Sequence, residues 1–335
     1  MTDKVKVPSQ SIDSALRPAT LDEYIGQSKA KQSLKLFIDA ILKRGHVTEH
    51  VLFYGPPGIG KTTLAHILSR ELKGDLKITS GPAIEKTGDL AAILTNLKDN
   101  DVLFIDEIHR LPKTVEEVLY PVMEEYVLDI IIGKGPAARI VRLPVPKITI
   151  IGATTRMALL SSPMRDRFGL VLRLDFYNDE EMTEIIMRSG KVLNLPITKE
   201  SAKEIAKRAR KTPRIGNRIL KRVRDFYEVE KSKEINLELV NKVFDILQID
   251  NYGLNNEDKQ YLKALINKFE GGPVGLSTMS STLSEDPLTI EDYIEPYLIQ
   301  IGFLKKTPKG RVATPRAYAH LGITRKHNPD QQTIV

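Results

Sequence analysis

Short apolar runs alternate with stretches of helical spacing through the first half of the chain. Val51-Leu52-Phe53-Tyr54, Val102-Leu103-Phe104-Ile105 and Ile148-Thr149-Ile150-Ile151 carry no charge, the pattern of strands covered on both faces in a parallel sheet. After the first run, Leu64, Leu68 and Leu72 recur every four residues. They supply the single apolar stripe of a helix and complete a strand, turn and helix unit. Beyond Asp175-Phe176-Tyr177 the spacing becomes helical, and Asn178 followed by Glu181 predicts a capped helix start. A second change falls near Asp250-Asn251-Tyr252-Gly253. From there three short helical patterns lead into two short strands around Thr307-Pro308-Lys309-Gly310, a Pro/Gly turn signal. The pattern divides the chain into 1–177, 178–250 and 251–335, with an α/β first part. No fixed-period repeat is present, which argues against a solenoid.

One insertion breaks the α/β rhythm. Residues from Leu128 to Leu143 read as two strands around the turn Gly133-Lys134-Gly135-Pro136. Strand side chains alternate between faces, so the consecutive Ile130, Ile131 and Ile132 cannot all point inward. Some of these, with Ile140 and Val141 opposite, are expected to form an exposed apolar patch.

Composition narrows the class. The 335 residues suit two or three domains. Zero cysteines exclude disulfides and thiolate chemistry. No run approaches the ~18 apolar residues of a membrane span, and the start Met1-Thr2-Asp3-Lys4 is too polar for a secretory leader, so a cytoplasmic protein with no membrane partner is expected. The net charge of +7 is unevenly spread: Lys203 to Arg224 holds ten basic residues and one acid, and Lys305 to Lys326 seven basic residues and none. Glu285 to Glu295 holds five acids and no base. For most of the first cluster a solvated helix face is expected.

Gly55-Pro56-Pro57-Gly58-Ile59-Gly60-Lys61-Thr62 fits the phosphate-binding loop G-x-x-x-x-G-K-[ST], placed after a buried strand and before a helix. Its glycines let backbone N–H groups turn toward phosphate, and the helix start adds positive potential. Gly58, Gly60, Lys61, Thr62 and Thr63 are the expected nucleotide contacts, with Lys61 on the β and γ phosphates. Asp106 and Glu107 end a second buried strand at the edge where parallel sheets bind ligands. Thr62 and Asp106 would hold Mg²⁺, and Glu107 would polarise the attacking water. Thr154, ending the third strand, is the candidate γ-phosphate sensor. Arg165, Arg167 and Arg214 are each either transition-state cations or surface charges. His46-Val47-Thr48-Glu49-His50 fits H-x-x-E-H, but His50 feeds directly into a strand, which is the wrong context for a helical zinc site.

Leu16-Arg17-Pro18, Ile25-Gly26-Gln27, the phosphate loop, Asp106-Glu107-Ile108-His109-Arg110, Gly152-Ala153-Thr154-Thr155-Arg156 and Arg165-Asp166-Arg167-Phe168 together resemble the AAA+ ATPases. Within them the chain is similar to the RuvB family, bacterial ATP-driven motors of Holliday-junction branch migration. The resemblance runs from Leu16 to Gly322 and includes Gly88 to Leu97, Gly271-Gly272-Pro273-Val274-Gly275-Leu276 and Glu295-Pro296-Tyr297-Leu298. It implies a large α/β ATPase domain, a small helical domain and a C-terminal winged-helix head. ATP and Mg²⁺ are the implied cofactors. Implied partners are duplex DNA at four-way junctions, the junction-binding protein RuvA, RuvC in a larger complex, and further copies of the chain in a hexameric ring.

By the same resemblance Arg167 is the finger entering a neighbouring copy's site and Arg214 a sensor on the small domain. Leu16, Arg17, Ile25 and Tyr177 would surround the adenine, with Glu124, Glu125 and Tyr126 near the nucleotide, and the 128–143 hairpin would dock RuvA. The family often has arginines where Lys306 and Lys309 stand here. For DNA the wing bearing Lys306, Lys309 and Arg311 is expected to make the contacts, because the helix candidate from Thr289 carries Glu291, Asp292 and Glu295, which would repel phosphates. A clamp-loading or protein-remodelling AAA+ switch is the alternative reading.

Overall fold

The computed structural model describes residues 12–45, 49–132 and 139–324, and these fall into two compact units divided between Ile235 and Asn236. The first unit is built on a five-stranded parallel sheet. In chain order its strands are β1 (Val51–Tyr54), β2 (Leu76–Ser80), β3 (Val102–Asp106), β6 (Thr149–Thr154) and β7 (Leu170–Arg173), and in space the order is β2-β3-β6-β1-β7. The three apolar runs are thus the three central strands. Their side chains alternate between two cores. Val51, Phe53, Val102, Phe104, Ile151 and Ala153 face one. Leu52, Leu103, Ile105 and Ile150 face the other. A sheet covered on both sides has no polar face to spare, which is why these runs carry no charge.

The stripe of Leu64, Leu68 and Leu72 is buried against the first core along α3 (Lys61–Glu71) and its C-cap. The helix α5 (Lys113–Glu125) buries Val115, Leu119, Val122 and Met123 in the second. The inserted hairpin is β4 (Val127–Ile132) and β5 (Arg139–Pro144), antiparallel, with Ile130 opposite Val141 and Ile131 opposite Ile140. The helices α7 (Asp179–Val192), α8 (Lys199–Arg208) and α9 (Pro213–Glu230) complete the unit. Asn178 accepts from Glu181 N at 2.7 Å while Glu181 accepts from Asn178 N at 3.0 Å, so the capping box read from the sequence is formed.

In the second unit, α11 (Asn256–Phe269), α12 (Leu276–Leu283) and α14 (Glu295–Gln300) pack around Tyr261, Leu265, Met279, Leu298 and Phe303. An antiparallel hairpin, β8 (Leu304–Thr307) with β9 (Gly310–Ala313), and α15 (Pro315–His320) follow. The Ser/Thr-rich stretch near Ser280 is the helix α12, its Met279 fully buried. No helix among the described residues is long and apolar enough to cross a membrane.

Candidate active site

A cleft of about 540 Å³ opens in the first unit at the C-terminal ends of β1 and β3, where a parallel sheet presents its ligand edge. The phosphate loop forms its floor. Gly60 sits at φ +108°, and a Cβ there would lie 2.4 Å from the Tyr24 hydroxyl. Gly58, at φ +77°, lies against the Arg214 side chain. Neither position can carry a side chain without moving the cleft walls. Gly60 is also the N-cap of α3 and has no group to cap it, so the first-turn N–H groups remain for an anion.

Lys61 Nζ donates to the carbonyls of Gly55 and Pro56, each at 2.8 Å. Burial pulls its pKa down to about 8, against the opposing pull of Asp106 and Glu107. Thr62, Thr63, Asp106 and Glu107 line the same cleft. Glu107 adopts φ 49° immediately after β3 and donates its N–H to Asp106 Oδ1 at 2.9 Å. This turn lets both consecutive carboxylates line the cleft instead of leaving them on alternate strand faces.

Behind Glu107 lies His109, whose Nε2 is 3.4 Å from Glu107 Oε2 and whose Nδ1 is 2.9 Å from Thr154 Oγ1. Thr154 Oγ1 also accepts from Arg156 N at 3.0 Å. Burial lowers the His109 pKa, against the opposing pull of Glu107.

Thr154 therefore reaches the site only through His109. It is fully buried and does not line the cleft, whereas Thr155 does. Successive residues at a strand end face opposite ways, and it is Thr155, not the expected Thr154, that takes the side lining the cleft.

The far wall collects groups widely separated in sequence. Leu16, Arg17, Ile25 and Tyr177, the residues expected around the adenine, line it together. Tyr24 was not expected there: its hydroxyl donates to Ile59 O at 3.1 Å and accepts from Tyr177 at 3.0 Å, with Tyr177 pushed up to about 12 by burial. Arg188 was also missed, and it donates to Leu16 O at 2.8 Å and pairs with Glu23 at 3.1 Å. Arg214 stands in the first turn of α9, its N–H 3.3 Å from Gly58 O, with Arg218 and Lys221 following along the same helix into the cleft.

Six of the ten basic residues of the segment 203–224 are exposed, Arg214 and Arg218 among them, in keeping with a solvated helix face, while Arg208 and Arg210 are buried, the former paired with Glu204. In all, six basic side chains face four carboxylates around the cleft. That balance suits a polyphosphate, and the oxygens of Thr62 and Asp106 suit a hard divalent cation.

Arg167, Glu124, Glu125 and Tyr126 do not line this cleft. Arg167 NH2 pairs with Glu124 at 3.1 Å, and Glu125 pairs with Arg142 at 3.2 Å.

His50 is buried, accepts from Ile150 N at 3.0 Å and lies 3.0 Å from Met123 O, with its pKa pulled down to about 4 by burial. It is a neutral structural ring. His46 lies outside the described residues.

On the hairpin, Ile140 is 70% exposed and Val141 is also exposed, whereas Ile130 packs against the core. Ile131 and Ile132 take part in the ladder, but their side chains, like the turn 133–138, lie outside the described residues.

In the second unit Lys306 and Lys309 are exposed on the wing, Lys306 pairing with Glu291. Arg311 is not a free wing residue. It is 7% exposed, donates to Glu295 at 2.8 and 3.2 Å, and Glu295, itself 1% exposed, also accepts from Tyr261 at 2.9 Å. Of the three wing cations expected to contact DNA, Lys306 and Lys309 are thus exposed, while Arg311 is engaged in a buried ion pair. The same pairing withdraws the Glu295 carboxylate from the surface, and with it its expected repulsion of phosphates. Charge counts along the sequence do not distinguish a solvated arginine from one neutralised inside.

Three family models match in succession: the Holliday junction DNA helicase RuvB P-loop domain over residues 16–174, the RuvB AAA lid domain over 177–250 and the RuvB C-terminal winged helix domain over 251–322. The Holliday junction branch migration complex subunit RuvB of Chloroflexus aggregans is 56% identical over 314 residues, covering 94% of this chain and 90% of that one. Among solved structures, the Thermotoga maritima RuvB Holliday junction branch migration motor superposes with a TM-score of 0.83 at 47% identity, over 92% of this chain and 99% of that one. A point mutant of the same protein gives 0.85 at 48% identity, with the same shares covered.

Proposed function

The chain belongs to the RuvB family, and from that premise we propose how its cleft turns ATP hydrolysis into branch migration of Holliday junctions. The family's activity is that of an ATP-driven motor. What supports the residue assignment is one observation: the cleft holds a phosphate loop and a water-activating carboxylate, while Arg167 lies outside it on the same chain. An arginine finger for this site would then come from another copy, which favours a head-to-tail ring, a hexamer by resemblance.

Lys61 and the α3 N–H groups bind and orient the phosphates. Thr62 and Asp106 would hold Mg²⁺, which would supply neutralisation of phosphate charge when bound. Glu107, oriented by His109, takes up the proton of the attacking water. Thr155 contacts the γ-phosphate, and Arg214 links the phosphate loop to α9, so that loss of the γ-phosphate can tilt the helical layer. The division at 1–177, 178–250 and 251–335 fits this scheme as motor, lever and DNA-binding head.

DNA binding falls to the wing through Lys306 and Lys309. Four-way duplex DNA should stimulate ATP turnover, and the stimulation should fade as salt rises. Replacing both lysines with alanine is expected to flatten the plot of log K against log salt by about 1.8, two contacts at roughly 0.9 each, with little dependence on DNA sequence. An unchanged slope would move the DNA surface away from the wing.

The exposed Ile140 and Val141 support a docking role for the hairpin toward RuvA. Ile140→Glu should weaken RuvA binding at least about tenfold, since a charge is then forced into an apolar contact. ATPase activity without DNA should be unchanged. Equal RuvA affinity in a folded Ile140→Glu protein would place the docking surface elsewhere.

A further inference from the structure

The short segment ending at Arg167 is fastened at both ends to one face of α5. Glu116, Tyr120 and Glu124 are four residues apart on that helix, so they form a single row. At one end Ser161, the N-cap of the helix Ser162–Asp166, accepts from Met164 N at 3.2 Å and donates to Glu116, which also accepts from the Tyr120 hydroxyl at 2.8 Å. At the other end the Arg167 guanidinium carbon lies 4.1 Å from the centre of the Tyr120 ring. One guanidinium nitrogen pairs with Glu124 at 3.1 Å and another donates to Pro163 O at 2.7 Å. Arg167 Nε is buried with no hydrogen-bond partner among the described residues.

These contacts differ in kind. Glu124 is exposed and neutralises the guanidinium, so an incoming phosphate competes with it directly. The Tyr120 ring fixes where the guanidinium lies through its quadrupole and leaves the cation's full charge available. We propose that Tyr120 is the positioning residue for Arg167, holding it outside its own cleft and aimed at a neighbouring copy, with Glu124 as the partner that the neighbour's γ-phosphate displaces. The proposal rests on the in-trans role of Arg167 argued above. The ring sets geometry, and a displacement of about 1 Å at such a group costs on the order of a hundredfold in rate.

Tyr120→Leu should lower kcat about 30- to 100-fold with KM for ATP within about threefold, while Tyr120→Phe, which keeps the ring, stays within about threefold of the parent. Mixing separates positioning from damage. Tyr120→Leu combined with Lys61→Ala should regain activity, because the Lys61→Ala copies lend intact fingers to intact sites. Tyr120→Leu combined with Arg167→Ala should regain none, as both lack a working finger.

Activity restored by the second mixture would put Tyr120 in its own chain's site and overturn the proposal. So would failure of the first mixture, or a Tyr120→Phe protein as slow as Tyr120→Leu. The control mixture, Arg167→Ala with Lys61→Ala, keeps the two ideas apart. If the control is inactive the in-trans reading itself falls, and if it is active while Tyr120→Leu misbehaves only the role of Tyr120 falls.

Discussion

Glu107→Gln is expected to bind ATP as the parent protein does and to turn it over about 10²–10⁴ times more slowly, the usual contribution of a positioned general base. The substitution keeps the size of the side chain and its place beside His109 Nε2, 3.4 Å away, but removes the group that accepts the proton of water. Lys61→Ala makes the contrast. Its ammonium, buried between the carbonyls of Gly55 and Pro56, is the cation at the phosphate site, so its loss should abolish measurable binding at concentrations that saturate Glu107→Gln. Titration with ATP under non-hydrolysing conditions, paired with steady-state kcat, separates the two outcomes. Full turnover in Glu107→Gln would exclude this carboxylate from catalysis and point to Asp106 alone.

The parts of this site that the sequence made legible are those carried by short contiguous strings. A phosphate loop is a local backbone shape, so its glycines, Lys61 and Thr62 stand next to one another in the chain. The central strands are equally plain, because burial on both faces forbids charge over several successive residues. The capping box at Asn178 and Glu181 closes within one turn.

What escaped has no local signature. Tyr24 and Tyr177 meet over the phosphate loop from 153 residues apart, and Arg188 bonds Leu16 across 172. Thr154 and Thr155 differ only in which face of the sheet they take, a question settled by where β6 ends. Arg311 shows the limit of charge counting most clearly. A run of bases after Lys305 suggested a DNA surface, yet one member turns inward to meet Glu295 because the hairpin packs on α11 and α14 through that pair. Once buried, neither partner can be removed without stranding the other's charge, so the pair holds the head's fold together.

Arg167→Ala is expected to cost about 10³–10⁵ in kcat, the range over which an arginine finger stabilises charge on the transferring phosphoryl group. ATP affinity should change little, since Arg167 does not line the cleft of its own chain. The combination is the mark of an interaction made only in the transition state. Mixing gives the sharper measurement. In equal mixtures of Arg167→Ala and Lys61→Ala, a productive interface needs an intact loop from the first and an intact finger from the second, so about a quarter of the interfaces in a randomly assembled ring should be competent. Turnover should therefore rise from near zero for either protein alone to a substantial fraction of the parent rate, and should grow with total protein concentration as rings form. A mixture that stays inactive while native mass measurement shows mixed rings would mean that Arg167 acts within its own chain. The Glu124 and Tyr120 contacts would then be the resting place of an arginine that must swing back across its own subunit.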